Sequence, residues 1–188
     1  MAGLTFSADE RSAVRNARRT KTRSADESHS MPTHHITYHA YPSPTDLPTA
    51  DRALLAAATA ALPQSYSPYS NFRVAAAALL EDGTTVAAAN IENAAYPMCI
   101  CAEPNAMAAA AALRPGMPVV AMAITVKAPH QVLDRPASPC GSCRQILSEH
   151  EGRFGHTMRL ILRGETGPVY VFERASDLLP FGFSGELL

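Results

Sequence analysis

The sequence predicts an α/β fold, a three-layer α/β/α sandwich around a five-stranded mixed sheet. Three observations carry that expectation. Segments with apolar residues at helical spacing alternate with short apolar runs of strand length. The runs are apolar at successive positions, as strands covered on both faces must be. Proline and glycine punctuate the boundaries at Pro63, Asp82-Gly83, Pro115-Gly116 and Pro180. Helices on both faces of a sheet satisfy such a pattern.

The elements follow in chain order. Residues 49–62 place Leu54, Leu55, Ala58 and Leu62 on one helical face, with Thr49 as the expected N-cap and Pro63 as the stop. Residues 72–80 and 86–91 read as two strands joined by a tight hairpin at Asp82-Gly83. An Ala-rich helix is expected over 103–113 and a buried strand over 119–126. A helix over 142–150 and strands over 158–162 and 169–172 complete the sheet. A short helix over 175–179 ends at Pro180.

Residues 1–45 differ from the rest. Arg11, Arg15, Arg18, Arg19, Lys21 and Arg23 are mixed with Asp9, Glu10, Asp26 and Glu27, and no apolar period follows. Such a segment cannot bury enough surface to offset its ordering entropy, so it is expected to be a disordered extension ahead of a catalytic domain over 46–188. His29, His34, His35 and His39 read as a solvated linker, having no companion ligands nearby.

Composition narrows the function classes. A chain of 188 residues with 47% hydrophobic content supports one core, and no apolar run reaches membrane-spanning length. A net charge of −1 supplies no basic field for nucleic acid. Four cysteines without a secretory apolar core are expected to be thiols, in a cytoplasmic protein.

The chemistry concentrates at Cys101-Ala102-Glu103 and Pro139-Cys140-Gly141-Ser142-Cys143. This is the spacing of zinc deaminases, in which three soft ligands hold Zn²⁺ and a nearby carboxylate stays unbound. Three protein ligands leave a tetrahedral ion one open position. Both halves fall at predicted helix starts, where unpaired amides and the helix dipole lower thiol pKa values. Three thiolates leave a net negative charge on the complex, and Arg144 is placed to donate to the sulfurs and offset it. Two alternatives stay open on spacing alone. Cys140 and Cys143 are also spaced as a redox dithiol, and Cys99 is available as a fourth ligand that would close a purely structural site.

Several further stretches complete a resemblance. Ser67-Pro68-Tyr69-Ser70-Asn71-Phe72-Arg73-Val74, Asn90-Ile91-Glu92-Asn93-Ala94-Ala95-Tyr96, the two metal segments with Arg144-Gln145, and Leu178-Leu179-Pro180 with Phe183 together resemble the homotetrameric, zinc-dependent cytidine deaminases of nucleoside salvage. The resemblance runs from about Thr49 to Leu188. It implies Cys101, Cys140 and Cys143 as zinc ligands and Glu103 as the proton carrier in hydrolysis of cytidine or deoxycytidine to the uridine counterpart and ammonia. It implies Asn90 and Glu92 on the ribose hydroxyls, Phe72 against the base, the Ala102 amide on the base carbonyl, and Phe183 reaching into a neighbouring subunit's site. An amide and a carboxylate at i and i+2 on a strand end share one side, which suits that pairing, although a plain polar strand terminus has the same spacing.

The chain departs from the resemblance at two points. Pro104 stands where relatives usually carry arginine, which leaves Arg144 and the helix dipoles to offset the thiolates. Cys99 stands where glycine is common and alters the approach to the pocket. Rival readings are a deaminase of nucleic acid, one of a blasticidin-type nucleoside antibiotic, and an inactive zinc-stabilised homologue. The nucleic-acid reading wants a basic groove and no ribose pair, and the sequence offers the reverse.

Overall fold

The computed structural model describes residues 31–185 and 188. The chain separates into two units, Met1–Thr33 and His34–Leu188. The expected disorder of residues 1–30 lies outside the described residues.

The second unit is built on a six-stranded sheet, one strand more than the sequence predicts. The strands are β1 (His39–Tyr41), β2 (Arg73–Leu80), β3 (Thr85–Ala89), β4 (Val119–Lys127), β5 (Arg159–Arg163) and β6 (Val169–Phe172), in the spatial order β1-β6-β5-β4-β2-β3. The additional strand is β1, which lies inside the segment expected to be an extension. It pairs antiparallel with β6 through His39↔Val171 and Tyr41↔Val169. Next to it, the Tyr38 ring packs on Tyr170 and Phe172 at centroid distances of 4.7 and 5.3 Å. Three residues carry no readable period, and β6 supplies the pairing that a local reading lacks. The β4–β5 pair is parallel and the other pairs antiparallel, so the sheet is mixed.

Side-chain alternation along the strands divides the core. Ala76, Ala78, Leu80, Met122, Ile124, Leu160 and Leu162 cluster with Ala102, Ala106 and Ala110 of α2 (Ala102–Leu113) and Leu147 of α3 (Gly141–Phe154). Ala77, Ala121, Ala123, Ile161, Val169 and Val171 cluster with Leu54, Leu55 and Ala58 of α1 (Thr49–Ala61). The alanines of β2 and α2 let helix and sheet backbones approach closely, while Met122, Leu147 and Leu160 fill the interior. Each such large apolar side chain contributes about 1.5–3 kcal/mol by leaving water.

The helix boundaries are set by backbone chemistry. α1 begins after Pro48, whose carbonyl accepts from Arg52 N at 3.0 Å; Thr49 is therefore the first helical residue and not the cap. α3 runs four residues beyond the predicted end at residue 150 and stops at Gly155 in the left-handed region (φ 61°). Its last turn is polar on the outside, which hid it from an apolar count, but a glycine at that position is the usual helix terminator. The β2–β3 hairpin turns at Gly83 (φ 86°), and Asp82 Oδ1 accepts from Thr84 N at 2.9 Å.

One connection bears directly on the site. The segment between β4 and α3 delivers Cys140, and it is held by the turn between β5 and β6. Glu165 Oε1 accepts from Ala128 N (3.0 Å) and Leu133 N (3.4 Å), and Glu165 N donates to Leu133 O at 2.8 Å. Gly167 has φ 77°, and a Cβ there would lie 1.9 Å from Asp134 O, so the close approach requires glycine.

Candidate metal centre and cleft

α2 and α3 start side by side at the ends of the central strands, and each has a cysteine at its N-cap. Cys101 (φ −66°, ψ 160°) precedes α2, and Cys140 (φ −67°, ψ 169°) precedes α3. Neither thiol caps its helix, so both sulfurs are available for other work. Cys143 follows within the first turn of α3 and is buried. The sulfur separations are 4.0 Å for Cys101–Cys140 and 3.3 Å for Cys140–Cys143, and all three Sγ atoms lie within 4.8 Å of one another. Tetrahedral zinc with Zn–S bonds of about 2.3 Å requires S···S separations of about 3.8 Å, so the trio fits that ion. Among the described residues this is the one group of three or more His, Cys, Asp or Glu side chains close enough to share a metal.

Cys99 does not join the trio. Its sulfur accepts from Asn93 N at 3.2 Å and is 3.7 Å from Asn93 O. The geometry therefore favours three protein ligands over a closed four-cysteine site. All four cysteines are free thiols.

The titration of the trio follows from its crowding. The hydrogen bond from Cys143 draws the Cys101 thiol down to about 6. Cys143, donating to Cys101, buried and close to the Glu103 charge, is pushed well above the ordinary thiol range. Glu103, in the first turn of α2, is 4% exposed, and burial raises its carboxyl above 4.5. A buried carboxyl with a raised pKa beside the cysteine cluster is suited to both taking and giving a proton. Pro104 sits in the same first turn, where its missing N–H has no intrahelical partner to lose.

Arg144, expected to donate to the sulfurs, also bonds to the backbone. Its Nε donates to Pro139 O at 2.9 Å and its Nη1 to Leu178 O at 3.0 Å. These bonds tie the residue before Cys140 to the turn Ala175–Leu178, so the guanidinium braces the backbone under the ligands. A side chain next to a ligand in sequence can reach either the sulfur or the backbone, and only the fold decides between them.

A cleft of about 380 Å³ opens over Cys101 and Cys140 of the trio, lined also by Phe72, Asn90, Glu92 and Glu103 among others. With Cys99, which also lines it, seven of the residues singled out from the sequence thus meet in one cavity. Ala102 is fully buried behind it at the first position of α2. Phe183 is 57% exposed and lies outside the cleft lining; its carbonyl accepts from Gln145 Nε2 at 2.8 Å. Ser70, Val74, Ile124, Val126 and Ser138 also line the cleft and had no sequence-level role. Ser70 lay within a quoted stretch, but nothing in its spacing marked it.

Asn90 and Glu92 are largely engaged within the chain. Asn90 Oδ1 accepts from Ser65 Oγ (2.7 Å) and Val74 N (2.9 Å), and Nδ2 donates to Phe72 O (3.0 Å). This clip fixes the backbone that leaves Phe72, at its own carbonyl and at Val74 N. Glu92 accepts from Ser70 Oγ, Tyr69 N and Ser70 N, and these bonds, the Ser70 hydroxyl foremost, hold its carboxyl below 4.5. Asn105 Nδ2 donates to Ala89 O at 2.9 Å, which ties the start of α2 to the end of β3.

A mixed sheet packed with helices, three cysteine sulfurs at two helix starts and a buried carboxyl define a metal-binding α/β domain. Residues 48–153 match the family described as the cytidine and deoxycytidylate deaminase zinc-binding region. The chain is 37% identical over 122 residues to a cytidine deaminase of Halalkalibacterium halodurans, covering 65% of this chain and 85% of that one. It is 39% identical over 126 residues to a cytidine deaminase of Mycobacterium tuberculosis, covering 67% and 84% respectively. The fold matches the crystal structure of cytidine deaminase from Burkholderia pseudomallei with a TM-score of 0.60 and 41% identity, over 70% of this chain and 97% of that one. This chain belongs to the cytidine and deoxycytidylate deaminase zinc-binding family.

Proposed function

We propose that this protein deaminates cytidine or deoxycytidine by hydrolysis, yielding the uridine counterpart and ammonia in pyrimidine salvage. The observation that carries the reading is the Cys101, Cys140 and Cys143 trio with buried Glu103 beside it, at one cleft sized for a small molecule. The relatives named above are cytidine deaminases, which supports the same substrate class.

Cys101, Cys140 and Cys143 would hold the zinc. Bound there, the ion supplies Lewis acidity that makes water a nucleophile at neutral pH. The remaining steps belong to the chain. Glu103 takes a proton from the attacking water as its oxygen bonds to C4 and hands that proton to N3 of the ring. It then takes the second proton from the same oxygen and delivers it to the amine, so the C4–N bond breaks, a C4 carbonyl forms and ammonia departs. The Ala102 amide, unpaired at the first position of α2, donates to the base carbonyl, and Phe72 packs on the ring. Asn90 and Glu92 face the sugar. Arg144 holds the Cys140 segment in place. The two core clusters support three-layer stacking in solution. Phe183, exposed and away from its own cleft, supports a homotetramer in which it completes a neighbour's site. Among the described residues no helix is long and apolar enough to cross a membrane. The net charge of −1 supports a free nucleoside over nucleic acid as the substrate.

Glu103→Gln tests the proton carrier. Ammonia release from cytidine is expected to fall by at least about 10²- to 10⁴-fold, with zinc content and fold retained. A variant that turns over at the wild-type rate removes Glu103 from the chemistry.

A further inference from the structure

At the sugar end of the cleft, one turn decides what Glu92 still has to offer. Oε2 accepts from Tyr69 N at 2.9 Å and Ser70 N at 3.2 Å, and Oε1 accepts from Ser70 Oγ. A carboxylate offers about four acceptor positions, so about one remains, on Oε1. Ser70 Oγ in turn accepts from Phe72 N at 2.9 Å, which turns its single hydrogen toward Glu92. The turn that presents these donors is closed by Asn71, whose backbone is left-handed (φ 55°) and whose N–H donates to Ser67 O at 2.9 Å. Ser70 and Glu92 both line the cleft.

We propose that Ser70 is a positioning residue for sugar recognition, aiming Glu92 so that the last acceptor position on Oε1 receives the hydrogen of a nucleoside sugar hydroxyl. The inference rests on the reading that the cleft takes a nucleoside, and it adds the group that sets the sugar preference. With its own hydroxyl hydrogen given to Glu92, Ser70 leaves the subsite a pure acceptor at this point. A sugar lacking the hydroxyl leaves that position unfilled, and a phosphoryl group in its place meets the carboxylate charge.

The test compares cytidine with 2′,3′-dideoxycytidine on the zinc-loaded full chain, measuring kcat and KM by ammonia release and Kd by calorimetry. Ser70→Ala is expected to raise KM and Kd for cytidine about tenfold, the effect of one hydrogen bond to a charged group. Loss of the Phe72 N bond acts on both nucleosides alike, so the readout is the ratio of their KM and Kd values, which is expected to narrow about tenfold. Ser70→Thr, which keeps the hydroxyl, is expected to restore the preference. Equal losses on both nucleosides, or no change in their ratio, overturn the proposal, because a merely structural serine would act that way. Glu92→Gln provides an independent check should Ser70→Ala melt early: it is expected to erase the cytidine preference, and a fully retained preference overturns the proposal. A wild-type protein that deaminates cytidine but ignores the sugar hydroxyls also overturns it, while the nucleoside reading stands. A wild-type protein that neither binds nor deaminates cytidine brings down both.

Discussion

Glu151→Gln is the substitution whose cost is most directly worked from the structure. Glu151 is 8% exposed near the end of α3, and its carboxylate accepts three backbone N–H groups: Met158 N (2.6 Å) and Ala175 N (3.0 Å) on Oε1, and Ser176 N (3.1 Å) on Oε2. Glutamine has the same shape but places an N–H donor against one of these donors. One charged hydrogen bond is lost with its N–H orphaned, and two others fall from charged to neutral strength. Those changes cost about 1–3 kcal/mol for the orphan and about 1 kcal/mol for each weakened bond. Relief of a buried charge offsets part of this, which leaves a net loss of about 2–4 kcal/mol. For a chain of this size that lowers Tm by about 4–16 °C. Calorimetric unfolding of the zinc-loaded wild type and variant measures the difference. A shift below about 2 °C would refute the assignment of this carboxylate as the clamp joining α3 to the turn Ala175–Leu178.

Further predictions concern the metal, the connection that carries Cys140, and pH. Cys140→Ala is expected to lose zinc, and full metal content in that variant would exclude the proposed ligand set. Zinc binding to the wild type should release protons and weaken as pH falls, because Cys143 is protonated well above neutrality; buffer-dependent binding enthalpies measure the release. Gly167→Ala is expected to destabilise the β5–β6 turn by more than about 1 kcal/mol, through both its positive φ and the close Asp134 carbonyl, and urea unfolding would detect it. His150 Nε2 accepts from Val119 N at 2.9 Å, and burial, with the Arg153 charge, holds the ring below its ordinary value of 6.5. Its folded pKa lies below its unfolded one, so the stability it contributes is complete above about pH 6.5 and is lost as pH falls toward the folded value. Unfolding midpoints should decline as pH falls below about 6.5 in the wild type and less in His150→Gln, whose amide oxygen accepts without titrating.

Parts of the molecule with local causes were legible in the sequence. The hairpin at Asp82-Gly83, the strands β4 to β6 and the helix around Ala106 each follow from spacing and punctuation within a dozen residues. The ends of α3 and the strand β1 were not legible. A polar last turn and a three-residue edge strand leave no apolar period, and both are fixed by what they meet in space.

The sequence alone determined the chemistry on offer: three sulfurs and one carboxyl at two helix starts, because residue type and spacing on a helix fix which groups share an end. Tertiary structure decided how those groups are used. It turned Cys99 toward Asn93, sent Arg144 to Leu178 O thirty-four residues away, and set the Ser70 turn against Glu92 twenty-two residues on. Such choices rest on rotamers and on contacts distant along the chain, so they leave no periodic trace in the order of the residues.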